Sequence, residues 1–415
     1  MKKIIVVGGG AAGLMAGVSA AEGGAQVTIL EKMAAVGRKL LITGKGRCNV
    51  TNIADIPTLI KNMPGNGAFL YSALNAFNNE QLMEFLARQQ VPTKVERGGR
   101  VFPQSDMAVD VIRGFTSALE SRDVTVLTNQ AVKAVLAQDG AVTGVVTRQD
   151  REYPADAVIL ATGGASYPGT GSSGDGYVMA QKLGHTVMPL KPSLVPLEVE
   201  EHWITELQGL SLKNVRATVR YKEKAIADEF GEMLFTHYGL SGPIILSLSK
   251  YVSELLEKAA GDIFLEINLK PALTPEVLDK RIQRDFEKFS RKQIKNSLGE
   301  LLPAKLIPVV IDLAYLDPDK PVHQIAKAER IRLRETIARL TFTLKGTRPI
   351  SEAIVTAGGV NIKEINPKTM ESKLIQNLYF AGEVIDIDGY TGGYNLQAAF
   401  STGYVAGRNA AQGDR

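Results

Sequence analysis

The chain has 415 residues, 45% hydrophobic and 22% charged, the balance of a protein that buries large cores and stays in solution. A formal net charge of +4 is small for this length; it does not by itself announce a nucleic-acid or membrane partner, and an anionic ligand explains it as well. The single cysteine, Cys48, excludes a disulfide framework and a dithiol relay, which fits a reducing cytoplasm, and no apolar stretch has the length of a membrane span.

Ile4–Val7 is a short apolar, β-branched run, as expected of a strand covered on both faces, and Gln26–Leu30 is a second strand candidate. Between them, the small residues Ala11, Ala12, Ala16, Gly17, Ala20 and Ala21 predict a helix that approaches the sheet closely, giving a βαβ unit. Gly8-Gly9-Gly10-Ala11-Ala12-Gly13 is a G-x-G-x-x-G at the junction of strand and helix, and Glu31 ends the second strand. In that setting Gly8 permits the tight turn, Gly10 lets backbone approach a pyrophosphate, and Gly13 lets helix and strand pack. The helix start at Ala11, Ala12 and Gly13 offers free N–H groups to phosphate. Glu31 can accept hydrogen bonds from ribose hydroxyls and disfavours a 2′-phosphate.

Lys32–Arg47 holds five basic residues (Lys32, Arg38, Lys39, Lys45, Arg47) and no acidic one, with Gly37, Gly44 and Gly46 among them and Thr43, Cys48 and Asn49 alongside. Such a segment either wraps a diphosphate and ribityl chain with backbone N–H groups and cations, or is a solvated basic loop. Helical spacing predicts a helix over 70–89 and another over 108–119, the latter capped by Ser105 or Asp106. Val124–Leu127, Ala131–Ala137, Ala141–Thr147 and Ala157–Ala161 read as strands with a hairpin signal at Asp139-Gly140, an antiparallel meander feeding back into the main sheet. The last of these runs into Ala161-Thr162-Gly163-Gly164, a small-residue turn that lets backbone pass close to a cofactor.

Prolines at 189, 192 and 196 and a change in composition open an insert, with β structure at Leu212–Tyr221, Ala225–Phe230 and Ile263–Leu269 and charged helical patterns over Pro275–Leu340. The expected domains are 1–190 and 343–415 for the cofactor and 191–342 for the insert. Near the end, Leu378–Phe380 is a strand leading into Ala381-Gly382-Glu383, and Gly393, Asn395, Leu396 and Gln397 open a helix of small residues. Either that helix is simply tightly packed, or its N-terminal amides face a flavin and stabilise the negative charge that builds at N1 and O2 on reduction.

The strings GRKLLITGKGRCNVTN (37–52), GRVFPQSDMAVDV (99–111), GEMLFTHYGLSGP (231–243) and AGEVIDIDGYTGGYNLQ (381–397) resemble one bacterial family of NAD(P)/FAD-dependent oxidoreductases. These are aminoacetone-oxidase-like flavoproteins that include a bile-acid-pathway reductase, within the two-dinucleotide-binding flavoprotein superfamily. The resemblance spans essentially the whole chain. It implies an α/β fold: a Rossmann-like FAD-binding domain with a β-meander, interrupted by a β-barrel plus helical insert domain. It also implies that Glu31 binds the adenosine ribose, that the Val132 backbone lies by the adenine, and that Glu383 lies near the ribityl and phosphate region, where the wider superfamily usually has Asp. Residues 161–179 are similar to fumarate-reductase-type flavoproteins, but that group's flavin-linking histidine has no match near Cys48, so the expected FAD is non-covalent.

A flavin exchanges hydride through N5, so the protein needs few catalytic groups of its own. His237 is the candidate acid/base, or else a structural histidine; Arg100 and Tyr390 are candidates for gripping an anionic or carbonyl substrate, or else a strand-edge charge and a turn residue. Cys48 reads as a buried core thiol. The expected activity is FAD-dependent oxidoreduction of a small organic molecule. No second complete G-x-G-x-x-G follows a strand, so NAD(P)H would bind only transiently at the flavin face. An RNA-modifying flavoprotein, motivated by the basic run between Lys280 and Lys295, and a non-catalytic flavin redox sensor are the competing classes.

Overall fold

The structure is a computed structural model describing residues 1–222, 224–258 and 261–412. It divides into two compact units, Met1–Ser193 together with the chain from Ile350 onward, and Leu194–Pro349.

The first unit is built on a five-stranded parallel sheet in the order Leu378–Phe380, Ala157–Leu160, Lys3–Val7, Gln26–Leu30, Thr125–Leu127. Residues 4–7 and 157–160 are buried throughout, which explains why their sequences run apolar instead of alternating. The helix Ala11–Glu22 links the first two strands and packs against the last helix, Tyr394–Gln412. That contact is backbone-close: a methyl group on Gly403 would stand 2.3 Å from the Ala12 carbonyl oxygen, and one on Gly407 2.2 Å from that of Ala16.

The expected meander is smaller than its sequence suggested. Thr125–Leu127 and Ala157–Leu160 belong to the parallel sheet, and only Val132–Gln138, Ala141–Thr147 and Glu152–Pro154 pair antiparallel. Their first turn has positive φ at both Asp139 (52°) and Gly140 (80°), the two-residue geometry that matches strand twist. The helix expected over 70–89 is two helices, Tyr71–Ala76 and Asn79–Arg88. Asn78 divides them, because its side chain accepts the Gln81 N–H while Gln81 accepts the Asn78 N–H, a reciprocal cap that starts a new helix. The helix Ala108–Glu120 is capped by neither expected residue. Met107 holds the cap position without a side-chain bond, Ser105 reaches only the Met107 N–H, and Asp106, at φ 56°, is drawn away by Arg47 and Lys94.

The second unit is a closed six-stranded barrel of Leu197–Val199, Gly239–Ser241, Lys224–Phe235, Ser211–Tyr221, Ile263–Asn268 and Leu340–Thr347. The helix Pro243–Lys258 lies against all six strands and buries Ile244, Ile245, Leu248 and Val252, so the barrel encloses a packed core. Helices Pro275–Lys288, Leu306–Leu313 and Lys327–Ala338 make up the helical part. The insert runs past the expected residue 342 because Leu340–Thr347 is the strand that closes the barrel. It begins at 194 because Val187–Ser193 pairs with Val355–Val360 in the first unit. Among the described residues, no helix is long and apolar enough to cross a membrane.

Candidate functional site

What a methyl group would meet separates the three fingerprint glycines. At Gly8, with φ 105°, it would come within 2.5 Å of the Ala161 carbonyl oxygen, and at Gly13 within 1.9 Å of the Gly8 carbonyl oxygen, so both glycines are demanded by packing of the protein itself. At Gly10 it would meet nothing within 4 Å. The one fingerprint glycine that the protein's own packing does not require opens onto free space at a helix N-terminus.

The first bond of that helix runs from the Leu14 N–H to the Gly10 carbonyl at 2.9 Å, which leaves the N–H groups of Ala11, Ala12 and Gly13 outside the helical ladder. Glu31, 9% exposed, is held by two backbone donors, Gly9 N–H and Met33 N–H, each at 2.7 Å, so its carboxylate is oriented before any ligand arrives. Residues 127–130 run against 31–33, with the Gln130 N–H on the Glu31 carbonyl and the Asn129 N–H on that of Met33. This brings the start of the Val132 strand beside the acid.

The basic segment departs from its sequence reading. Lys32 pairs with Asp175 at 2.7 Å, Lys39 with Glu383 at 2.8 Å, and Arg47 with Glu96 and Asp106. Three of the five cations are therefore occupied by carboxylates, and the segment presents its backbone together with Arg38 and Lys45. Gly37, Gly44, Lys45, Gly46 and Cys48 all have positive φ, the Thr43 hydroxyl donates back to the Lys39 carbonyl, and Arg38 is exposed.

Glu383 is a junction. One carboxylate oxygen accepts from the Thr356 N–H at 2.8 Å and the Ser166 hydroxyl at 3.2 Å, and the other takes Lys39. Ser166 and Thr356 escaped the sequence reading because isolated hydroxyl residues so far apart in the chain leave no pattern. Gly163, at φ 72°, and Gly164, whose methyl would clash with Thr356 and Glu383, keep the turn after Ala161 thin.

At the C-terminal helix, Asn395 braces its own approach loop, accepting from the Gly389 N–H and donating to the Gly389 and Tyr390 carbonyls. Gln397 is buried and fully engaged with Thr51, Ser401 and the Phe77 carbonyl, so it ties the helix to the 51–52 strand. The first bond counted in from this end is Gln397 N–H to Gly393 carbonyl, leaving the amides of Tyr394, Asn395 and Leu396 free of the helical ladder. Gly382 faces the first helix, where a methyl group on it would stand 2.7 Å from the Ala12 Cβ.

Five buried side-chain polar atoms among the described residues lack a partner, and two of them, Asn49 Oδ1 and Thr162 Oγ1, belong to the candidate cofactor segments. Orphaned atoms of this kind are expected where a ligand supplies the missing bond. With the Gly10 opening, the free amides and the oriented Glu31, they fit a dinucleotide such as FAD. Cys48 is fully buried and burial pushes its thiol up to about 12, so it carries no thiolate chemistry at neutral pH.

Of the catalytic candidates, Arg100 lies on the strand Arg100–Pro103, and Asn52 links that strand to Gly392, two residues from Tyr390. Asn52 pairs with Arg100 in the three-stranded sheet and its side chain donates to the Gly392 carbonyl at 3.1 Å. His237 belongs to the second unit, exposed on the tight turn Thr236–Gly239, with its ring 4.8 Å from that of Tyr238. It borders a cavity of about 600 Å³ with Glu201, His202 and Arg348.

The chain is similar over nearly its whole length to proteins of known name. A 3-dehydro-bile acid delta(4,6)-reductase of Clostridium scindens is 34% identical over 416 residues, covering 99% of this chain and all of that protein. A ribosomal RNA dihydrouridine synthase of Haemophilus influenzae is 32% identical, covering 97% of this chain and 96% of that one. Among solved structures, the 3-ketosteroid-delta4-(5alpha)-dehydrogenase of Rhodococcus jostii RHA1 shares the fold, at 16% identity, with a TM-score of 0.54 and coverage of 99% and 97%. The family model described as HI0933-like protein Rossmann domain matches residues 2–409. The chain belongs to the HI0933-like Rossmann family and is an FAD-dependent oxidoreductase.

Proposed function

We propose that the protein saturates a carbon–carbon double bond conjugated to a carbonyl in a small organic molecule, with NAD(P)H as the electron donor. The observation that carries this reading is the chemistry shared by two full-length relatives. One is named for reducing the delta(4,6) positions of a 3-oxo bile acid, and the other for converting uridine, whose ring double bond is conjugated to a carbonyl, to dihydrouridine. When bound, FAD would supply hydride chemistry to the carbon β to the carbonyl, and a proton would complete the product at the α carbon.

The chain's own part is to bind and orient. The Ala11–Gly13 amides take the diphosphate over the open side of Gly10, and Glu31 takes the ribose hydroxyls. The thin turn Ala161–Gly163 and the bracket of Lys39 and Glu383 would hold the middle of the cofactor, and the amides of Tyr394–Leu396 would stabilise negative charge on its reduced ring. Arg100 and Tyr390, in the same unit as every cofactor segment, are the candidates for gripping the carbonyl of the substrate.

The test is anaerobic mixing of the FAD-loaded protein with NADH or NADPH, followed by a 3-oxo-Δ4 steroid. Bleaching of the flavin absorbance by the nucleotide and its return on adding the enone are expected. A flavin that neither nucleotide reduces contradicts the reading. A second reading, with a uridine in RNA as the substrate, is favoured by the relatives from Haemophilus influenzae and Escherichia coli, both named ribosomal RNA dihydrouridine synthases. In that case the reduced flavin recovers its colour with a ribosomal RNA transcript and not with the steroid.

A further inference from the structure

The two segments around the candidate cofactor loop carry a surplus of positive charge on connected surface. Residues 32–47 and 93–107 hold eight basic side chains and two acidic ones, Glu96 and Asp106. Arg47 engages both acids and Lys94 engages Asp106, which consumes the negative charge and ties the loops together. The Gly46 carbonyl, accepting from the Ala108 N–H at 2.9 Å, adds another tie. Arg38, Lys45 and Arg97 are exposed with no carboxylate partner among the described residues, and Arg100 reaches Glu96 only at 3.9 Å. Among these cations, Leu41, Ile42 and Met107 are 40%, 46% and 54% exposed. In the basic run of the insert, Arg281 pairs with Asp285, Lys288 with Glu300 and Lys295 with Asp319, three of its seven cations.

Resting on the RNA reading above, we propose that the face formed by Arg38–Arg47, Lys94–Arg100 and Met107 receives single-stranded RNA. Unpaired guanidinium and ammonium groups take phosphates, while unstacked bases lie on the apolar tips and on guanidinium planes. A duplex would use only the cations and leave Leu41, Ile42 and Met107 bare, so an unpaired loop is the better match to the whole surface.

The experiment uses the FAD-loaded full chain and a fluorescein-labelled RNA stem-loop with a uridine-rich loop, titrated by anisotropy across a NaCl series. The test variant is Arg97→Glu with Met107→Asp. Arg97 is exposed on a turn, and Asp suits the extended cap position that Met107 occupies, so the flavin spectrum and melting temperature should be retained. The variant is expected to bind at least about tenfold more weakly, with a salt slope shallower by roughly the 0.7 of one phosphate contact. The insert variant Lys288→Glu, Arg291→Glu is expected to bind like the wild type. Equal binding by wild type and the Arg97/Met107 variant, or loss in the insert variant, overturns this face while leaving the RNA reading intact. No binding by the wild type at low salt removes both. Binding of phosphatidylglycerol vesicles in place of RNA, lost in the Arg97/Met107 variant, assigns the face to lipid and overturns the RNA occupant.

Discussion

His185 shows how one buried polar side chain sets a pH limit on the fold. It is 3% exposed, and its Nε2 lies 2.8 Å from the Ser372 hydroxyl oxygen. That oxygen already accepts the N–H groups of Leu374 and Ile375, so its own hydrogen is directed to the imidazole, which must therefore be neutral at Nε2. Burial lowers the His185 pKa below the ordinary value near 6.5, with Glu364 opposing the shift in part. The unfolded chain thus binds a proton at a higher pH than the folded one. Stability from this group is fully present above about pH 6.5 and is lost as pH falls below it. His185→Gln keeps an acceptor for Ser372 but does not titrate; it is expected to cost about 1 kcal/mol at pH 7.5. It should also flatten the fall in melting temperature between pH 7 and pH 5. A variant melting curve with the same acid slope as the wild type would assign that slope to other groups.

At the scale of elements, close approach of backbones decides the architecture around the cofactor segments. The first and last helices touch through Gly403 and Gly407 because any side chain there would strike a carbonyl oxygen of the first helix. Gly403→Ala is expected to destabilise the protein by about 1–3 kcal/mol through overpacking, against the small gain that alanine brings to an open helix position. A chemical denaturation midpoint unchanged from wild type would show that the two helices part without cost. Such contacts also explain what could be read in the sequence. The βαβ unit and its fingerprint were legible because strand, turn and helix are contiguous and each glycine has a local reason. The division of 70–89 at Asn78 was hidden under continuous apolar spacing, since a reciprocal cap outweighs periodicity. The end of the insert, expected at 342 and found at Pro349, was missed because the strand Leu340–Thr347 closes a barrel, which is a long-range fact. Glu383 was read as a cofactor residue, but its partners Ser166 and Thr356 meet it only through the fold.

For the whole molecule, two separate cores accompany two units, and every candidate cofactor residue lies in the first, while His237 lies in the second. Cofactor seating is therefore assigned to the first unit alone. The account depends above all on a diphosphate lying against Gly10. This is tested most directly by titrating FAD into the deflavinated Gly10→Ala variant while measuring its thermal stability without FAD. A methyl group at Gly10 meets no protein atom and its φ of −83° suits alanine, so the fold should keep its melting temperature. FAD affinity should fall at least about tenfold, equivalent to 1.4 kcal/mol. Wild-type affinity in a variant of wild-type stability would show that the diphosphate does not lie there.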